Sequence, residues 1–315
     1  MKLVFMGTPQ FAVPSLEKLI HSGYDIAAVV TQPDRKSGRG QKLVPPPVKL
    51  LAEAHGIPVL QFDRIKSAEG VAALKALSPD MIVTAAFGQI LSKEILGIPP
   101  LGCLNVHASL LPEYRGAAPI QWAIINGEKQ SGVTIIYMNE GLDTGDIITA
   151  SSVEIGDDMT GGELYETLAA LGADLLIETI SRIQNGTAKR TAQDEAQSSY
   201  YPPLSKVLAE IDWTKPARDI HNLVRALDPV MGGMAHMGGV VFKIWRTSVE
   251  TGSAEPGSIV TSDAKQGLTV GTGDGVLRIE EMQAPGGKRM NPCDFLRGKS
   301  LPGSRFDTDN PEAQQ

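Results

Sequence analysis

The first half of the chain alternates short apolar runs with segments of helical apolar spacing, and this alternation limits the fold more than any other feature. Lys2–Gly7 (KLVFMG) is a continuous apolar run stopped by glycine, the pattern of a strand buried on both faces. Phe11, Leu16, Leu19 and Ile20 then recur at roughly helical spacing until Gly23. Residues 26–31 and 81–86 are further strand-like runs, with a shorter one at Val59–Gln61, and helical segments at 48–54 and 71–77 separate them. A β-α-β-α rhythm predicts an α/β domain whose mainly parallel sheet is covered by helices. Cys103–His107 and residues 132–138 and 147–155 continue the strands. The short spacing between the last two predicts that the sheet becomes mixed there. Residues 162–183 carry an apolar stripe suited to one long helix.

The composition changes at residues 184–206, which are polar and contain Asn185-Gly186 and Pro202-Pro203. This predicts a first domain over 1–189, a linker over 190–206 and a second domain over 207–315. Ile220, Leu223, Val224 and Leu227 form an amphipathic set. Short β-type runs at 240–249, 257–261, 267–270 and 276–282, separated by glycines, then predict a small barrel. Asn291-Pro292 followed by Asp294 starts a short final helix, and residues 307–315 read as a polar tail.

With no run of about 18 apolar residues, a membrane span is not expected. The first apolar run is too short for a signal peptide, so the expected location is the cytoplasm. Two cysteines cannot build a disulfide framework, and the five histidines have no metal-ligand spacing, so no metal is expected. The net charge of −7 excludes a surface basic throughout but not a local basic patch.

The densest chemical signal is residues 104–116, LNVHASLLPEYRG. Alternation along a strand puts Asn105 and His107 on the same side, at the strand end where open α/β sheets bind ligands. An amide donor beside a ring that exchanges a proton near neutral pH suits acyl transfer, which needs fixed donors for an oxyanion and a route for the amine proton. A structural pair capping a strand reads about as well. The apolar run Ser109-Leu110-Leu111-Pro112 tips the balance toward a ligand slot. A second signal is residues 132–146, where Gly141 and Gly145 bracket Asp143. Such a loop either presents a carboxylate that orients His107 or is an ordinary Asx-turn.

On these residues the chain resembles the formyltetrahydrofolate-dependent formyltransferases. That family joins an Asn-x-His pair, a Ser-Leu-Leu-Pro run and a later Asp between glycines. Gly7-Thr8-Pro9-Gln10-Phe11, Thr31-Gln32-Pro33-Asp34-Arg35 with Gly38-Arg39-Gly40, and Ser205-Lys206 with Ile211-Asp212-Trp213 resemble the branch that formylates methionyl-tRNA. The resemblance implies a Rossmann-like N-terminal catalytic domain and a C-terminal tRNA-binding β-barrel resembling an OB fold. It implies transfer of the formyl group of 10-formyltetrahydrofolate to the α-amine of methionyl initiator tRNA. It assigns catalysis to Asn105, His107 and Asp143, and folate contacts to Ser109, Leu110, Leu111, Pro112, Phe87, Gly88 and Ile90. It implies no metal, and the chain is expected to act as a monomer. The family commonly has Trp-Pro after Arg-Ala-Leu-x-Pro, where this chain has Val230-Met231-Gly232.

Residues 35–49 (RKSGRGQKLVPPPVK) hold five basic side chains and no acidic one. The residues alone fit either a solvated basic loop or an arm that contacts phosphates. The resemblance implies the arm, with Arg35, Lys36, Arg39 and Lys42 touching tRNA and Arg39 at its tip. Two rivals keep part of this reading: a formyltransferase acting on a sugar-nucleotide amine, and a binding module without catalysis.

Overall fold

The computed structural model of the chain describes residues 1–37 and 40–308. In chain order the elements are β1 Lys2–Gly7, α1 Val13–His21, β2 Asp25–Thr31, β3 Arg35–Ser37, β4 Lys42–Val44, α2 Pro47–Ala54, β5 Val59–Gln61, α3 Ala68–Leu77, β6 Met81–Ala85, α4 Lys93–Leu96, β7 Cys103–His107 and β8 Arg115–Gly116. Then follow α5 Pro119–Ile125, β9 Gln130–Tyr137, β10 Ile147–Glu154, α6 Gly161–Gln184, β11 Tyr200–Tyr201, α7 Ala217–Leu227, β12 Gly233–Met237, β13 Val240–Glu250, β14 Ile259–Asp263, β15 Gly267–Gly271, β16 Val276–Gln283 and α8 Pro292–Gly298. The chain divides into two compact units. One comprises 1–119, 130–153 and 165–201; the other comprises 120–129, 154–164 and 202–308 of the described chain.

The first unit is built on a seven-stranded sheet in the order β10-β9-β7-β6-β1-β2-β5. Strands β1, β2, β5, β6 and β7 run parallel, and β9 is antiparallel to β7, so the sheet is mixed at the edge where the sequence spacing predicts it. The continuous apolar runs are explained by burial on both faces. Val4, Met6 and Ile82 are fully buried and pack with Leu74 and Ile95 from the covering helices. Burying each such side chain contributes about 1.5–3 kcal/mol. Gly7 ends β1 where a Cβ would stand 2.7 Å from that of Ala12, so glycine permits the close turn into the first helix.

Several elements depart from the sequence expectations, among them the following. The basic loop forms the β3–β4 hairpin, with Arg35 opposite Val44 and Lys36 opposite Leu43. Backbone pairing across the turn supplies order that its Gly- and Pro-rich composition conceals. Helix α5 has only seven residues, too few to display a helical period. The predicted linker also carries structure: Thr191 bridges to Ile147, and β11 pairs in parallel with β8.

The second unit holds a five-stranded antiparallel sheet, β12-β13-β16-β15-β14, packed with α7. Trp213 is fully buried and stacks on Phe306 at 5.1 Å. His221 on α7 is 3% exposed. Its Nε2 lies 3.1 Å from the carbonyl oxygen of Asp157, which only accepts, so Nε2 carries the proton. Its Nδ1 lies 3.0 Å from the Thr247 hydroxyl, which can donate to it. Burial holds the imidazole below its usual pKa; Arg225 and Arg218 add to this against the Asp157 carbonyl and Asp158. The unfolded chain therefore takes up a proton first as pH falls. The His221 contribution to stability is complete above about pH 6.5 and is lost as pH drops from there through the lower folded value. We expect the urea midpoint to fall more between about pH 7 and about pH 5 in wild type than in His221→Gln; parallel curves would contradict this.

Candidate active site

Asn105 and His107 end β7, at the carboxyl edge of the parallel strands. Register does the local work: Thr84 of β6 sits opposite Asn105, and Thr134 of β9 sits opposite His107. Both side chains turn toward the loop after β9. Asn105 Nδ2 lies 3.4 Å and His107 Nδ1 3.5 Å from the same atom, Asp143 Oδ1. Among the described residues, the sheet thus brings the three expected catalytic side chains to one point.

The protonation pattern follows from which partners can donate. A carboxylate only accepts, so the Asn105 amide nitrogen faces Asp143 and its oxygen faces Thr84 Oγ1 at 2.8 Å. His107 is 6% exposed, and its Nε2 lies 3.0 Å from the carbonyl oxygen of Tyr114. Nε2 must therefore carry a proton. In the neutral ring Nδ1 would then turn a lone pair toward Asp143, whereas a proton on Nδ1 makes the contact attractive. Asn105 is the adjacent neutral donor to the same carboxylate oxygen. Asp143 Oδ2 accepts from the Gly116 N–H at 3.0 Å, which fixes the carboxylate from its other side.

Asp143 sits at φ 55°, in the left-handed region that Asp tolerates better than most side chains. The loop around it is tight. Gly141 N and Thr144 Oγ1 both donate to Asn139 Oδ1, at 3.0 and 2.8 Å. A Cβ on Gly145 would fall 1.7 Å from the Tyr137 carbonyl oxygen. Cys103, two residues before Asn105, is buried, and burial pushes its thiol up to about 12, which removes it as a nucleophile.

The other predicted residues divide into several groups. Ser109 is 1% exposed, and its hydroxyl donates to the Glu113 carbonyl at 2.7 Å, so it shapes the loop after His107. Leu111 is buried with its N–H on Thr134 Oγ1, Pro112 is half-buried, and Leu110 packs over Gly132. Phe87 is buried in the core and turns its carbonyl to Thr8 Oγ1 and Gln32 Nε2. Gly88 takes φ 81°, and Ile90 is 67% exposed. Arg35, Lys36 and Lys42 are exposed on the hairpin beside Leu43 and Val44. Arg35 also donates to Gln32, which ties the base of the hairpin to the Phe87 loop. Lys49 is instead paired with Asp34 at 2.9 Å. Arg39 lies outside the described residues. No group of acidic, His or Cys side chains among the described residues could hold a metal, and no described helix is long and apolar enough to cross a membrane.

The formyl transferase family model matches residues 1–180, and that of the formyl transferase C-terminal domain matches residues 203–300. The chain belongs to the formyl transferase family. This formyl transferase is 49% identical over 305 residues to a methionyl-tRNA formyltransferase of Ruminiclostridium cellulolyticum, covering 96% of this chain and 97% of the relative. It is 50% identical over 307 residues to one from Geobacter metallireducens, covering 97% and 98%. Its fold is similar to that of a solved N-formyltransferase from Helicobacter canadensis in complex with folinic acid and dTDP-3-aminofucose, with a TM-score of 0.68 at 23% identity, over 89% of this chain and 99% of that one.

Sequence reasoning missed several groups that surround the candidate site. Thr84 had no signal, because only strand register brings it to Asn105. The Tyr114 carbonyl and the Gly116 N–H are backbone groups, invisible to residue type. Gln193, Glu195 and Ser199 lie in the stretch read as a linker, and their contacts to the site loops span 48 to 85 residues of sequence.

Proposed function

We infer that this chain transfers the formyl group of 10-formyltetrahydrofolate to the α-amino group of methionyl initiator tRNA, giving the N-formylmethionyl-tRNA used to start translation. One observation carries the chemistry: Asn105 and His107 meet a single oxygen of Asp143 at the carboxyl edge of the sheet. Two donors beside a carboxylate fit a formyl carbonyl, whose oxygen gains charge, next to an amine that must lose a proton. The amine nitrogen bonds to the formyl carbon and the bond from that carbon to N10 breaks. The oxyanion is held by the Asn105 amide and by the Nδ1–H of the protonated His107, which Asp143 holds only loosely at 3.5 Å while Nε2 stays on the Tyr114 carbonyl. Asp143 balances the imidazolium and carries the amine proton to N10. Residues 109–112 with Phe87, Gly88 and Ile90 serve the folate. The acceptor reading rests on the tRNA formyltransferases to which the chain is about half identical over nearly its whole length.

We place the protein in the cytoplasm, acting as a monomer, with a catalytic domain over 1–189, a linker over 190–206 and a tRNA-binding domain over 207–315. Arg35, Lys36 and Lys42 on the hairpin, with Arg39, contact the tRNA. The test is formyl transfer to initiator Met-tRNA, elongator Met-tRNA and a sugar-nucleotide amine side by side. Transfer confined to the initiator is the expected result, and transfer only to the small amine would overturn the acceptor. A phosphate-backbone partner also predicts that kcat/KM for Met-tRNA falls steeply with salt. Each lost phosphate contact should lower the log–log slope by about 0.7–0.9. Replacing Arg35, Lys36 and Lys42 with Ala should therefore flatten the salt dependence; an unchanged slope would remove the hairpin from the interface.

A further inference from the structure

We propose that Gln193 is a positioning residue for Asp143, locked in place by Arg115, and that it sets turnover without touching either substrate. The proposal rests on the role assigned to Asp143 in the transfer step. The Gln193 amide nitrogen donates to two carbonyls of the Asp143 loop, that of Asp143 itself at 2.7 Å and that of Gly145 at 2.8 Å. One amide group therefore bridges the bend on both sides of Thr144, where Asp143 already holds a left-handed φ of 55°.

The orientation of that amide is dictated by chemistry. Gln193 Oε1 accepts from Arg115 Nε at 3.1 Å and from Arg115 Nη2 at 2.8 Å. Guanidinium only donates, so the oxygen of Gln193 must face Arg115 and the NH2 must face the loop. Arg115 is 7% exposed, and its outer edge pairs with Glu195 through two contacts of 2.9 Å. A buried cation with four of its five N–H groups on two partners is a fixed platform rather than a free phosphate-binding group. The same short segment reaches the site twice more and is itself tied to Ser199. Tyr114 offers its carbonyl to His107, Gly116 donates to the Asp143 carboxylate, and Tyr114 N and Arg115 N bond to Ser199. Arg115, Gln193 and Glu195 thus fix the loop that bears the carboxylate relative to the strand that bears His107.

The physical consequence is specific. Asn105 and His107 lie 3.4 and 3.5 Å from Asp143 Oδ1, at the outer limit of useful contact, so a small drift of the loop ends both interactions. A misplacement of about 1 Å at a reacting centre costs on the order of a hundredfold in rate. Gln193→Glu is the sharpest probe. It keeps an acceptor for Arg115 but turns a carboxylate oxygen, which cannot donate, toward the two carbonyls. Gln193→Met removes the donors without adding charge.

The experiment measures kcat and KM for folate and tRNA in full-length wild type, Gln193→Glu, Gln193→Met, Asp143→Ala and the double variants, with thermal midpoints alongside. We expect kcat to fall by roughly ten- to a hundredfold in both Gln193 variants. KM for either substrate should be unchanged and the thermal midpoint near wild type. In the Asp143→Ala background neither Gln193 change should lower kcat further, because the group it positions is gone. Wild-type kcat in both Gln193 variants would overturn the proposal. So would a loss of the same factor with and without Asp143, or an effect confined to KM. Full turnover in Asp143→Ala itself would overturn the transfer role of Asp143 and the present proposal with it. Wild-type turnover in the Gln193 variants beside a disabled Asp143→Ala would sink the present proposal alone.

Discussion

Asn105→Ala and His107→Ala are each expected to lower kcat by roughly a hundredfold or more, the effect of removing about 3 kcal/mol of oxyanion stabilisation. Both variants should still fold. Asn105 and His107 stand at the tip of β7, while Leu104 and Val106, 0% and 3% exposed, anchor the strand in the core. Losing the His107 ring removes its hydrogen bond to the Tyr114 carbonyl, at a cost of about 1–3 kcal/mol, less than a typical domain's total stability. Asp143→Asn separates charge from shape. The amide oxygen can still accept from Gly116 N–H, but it no longer balances an imidazolium, so activity should fall with the loop intact. The measurement is single-turnover formyl transfer at saturating folate and Met-tRNA, with circular dichroism as the check on folding. A His107→Ala protein that transfers at the wild-type rate would remove the imidazole from the mechanism.

What could be read in the sequence was what depends on local periodicity. The two-residue spacing of Asn105 and His107 forces them to one side of a strand, and the glycine pair around Asp143 marks a tight turn; neither needs the fold. Their meeting at one oxygen does need it. It follows from the antiparallel pairing of β9 with β7, which places the end of β9 beside Leu104 and the loop beyond it over the strand tip. The short spacing between residues 132–138 and 147–155 hints at that reversal. Strand β12 (GMAHM) is poor in the β-branched residues that mark strands, and its partner β13 defines it. The residues 191–201 have no apolar period at all. Their order comes from hydrogen bonds of Gln193, Glu195 and Ser199 to segments 48 to 85 residues away, and no window on the sequence contains both ends. The hairpin β3–β4 was hidden for a related reason: backbone pairing carries it, and its exposed Leu43 and Val44 mimic a disordered composition rather than a core strand.

Gly145→Ala should disable transfer as severely as removal of a catalytic side chain, although Gly145 contributes no side chain to the site. A Cβ there would lie 1.7 Å from the Tyr137 carbonyl oxygen and 2.8 Å from its carbon. Rotamer changes cannot relieve a clash with backbone, so either β9 or the loop must move. The end of β9 is held: Tyr137 is paired with Leu104, its N–H bonds to the Asp146 carbonyl, and Arg190 lies 3.6 Å over its ring. The loop yields instead, carrying Asp143 away from Asn105 and His107 and breaking the bridge from Gln193. A shift of about 1 Å is enough for on the order of a hundredfold loss in kcat. Gly141→Ala is the informative comparison. Its Cβ would meet Thr144 Oγ1 at 2.1 Å, but a threonine hydroxyl can rotate away, so the loss should be smaller. If Gly145→Ala transferred formyl groups as fast as wild type, the carboxylate would not depend on the path of its loop. If Gly141→Ala were the more damaging of the two, the Asn139–Thr144 contacts, rather than the Tyr137 carbonyl, would be what sets that path.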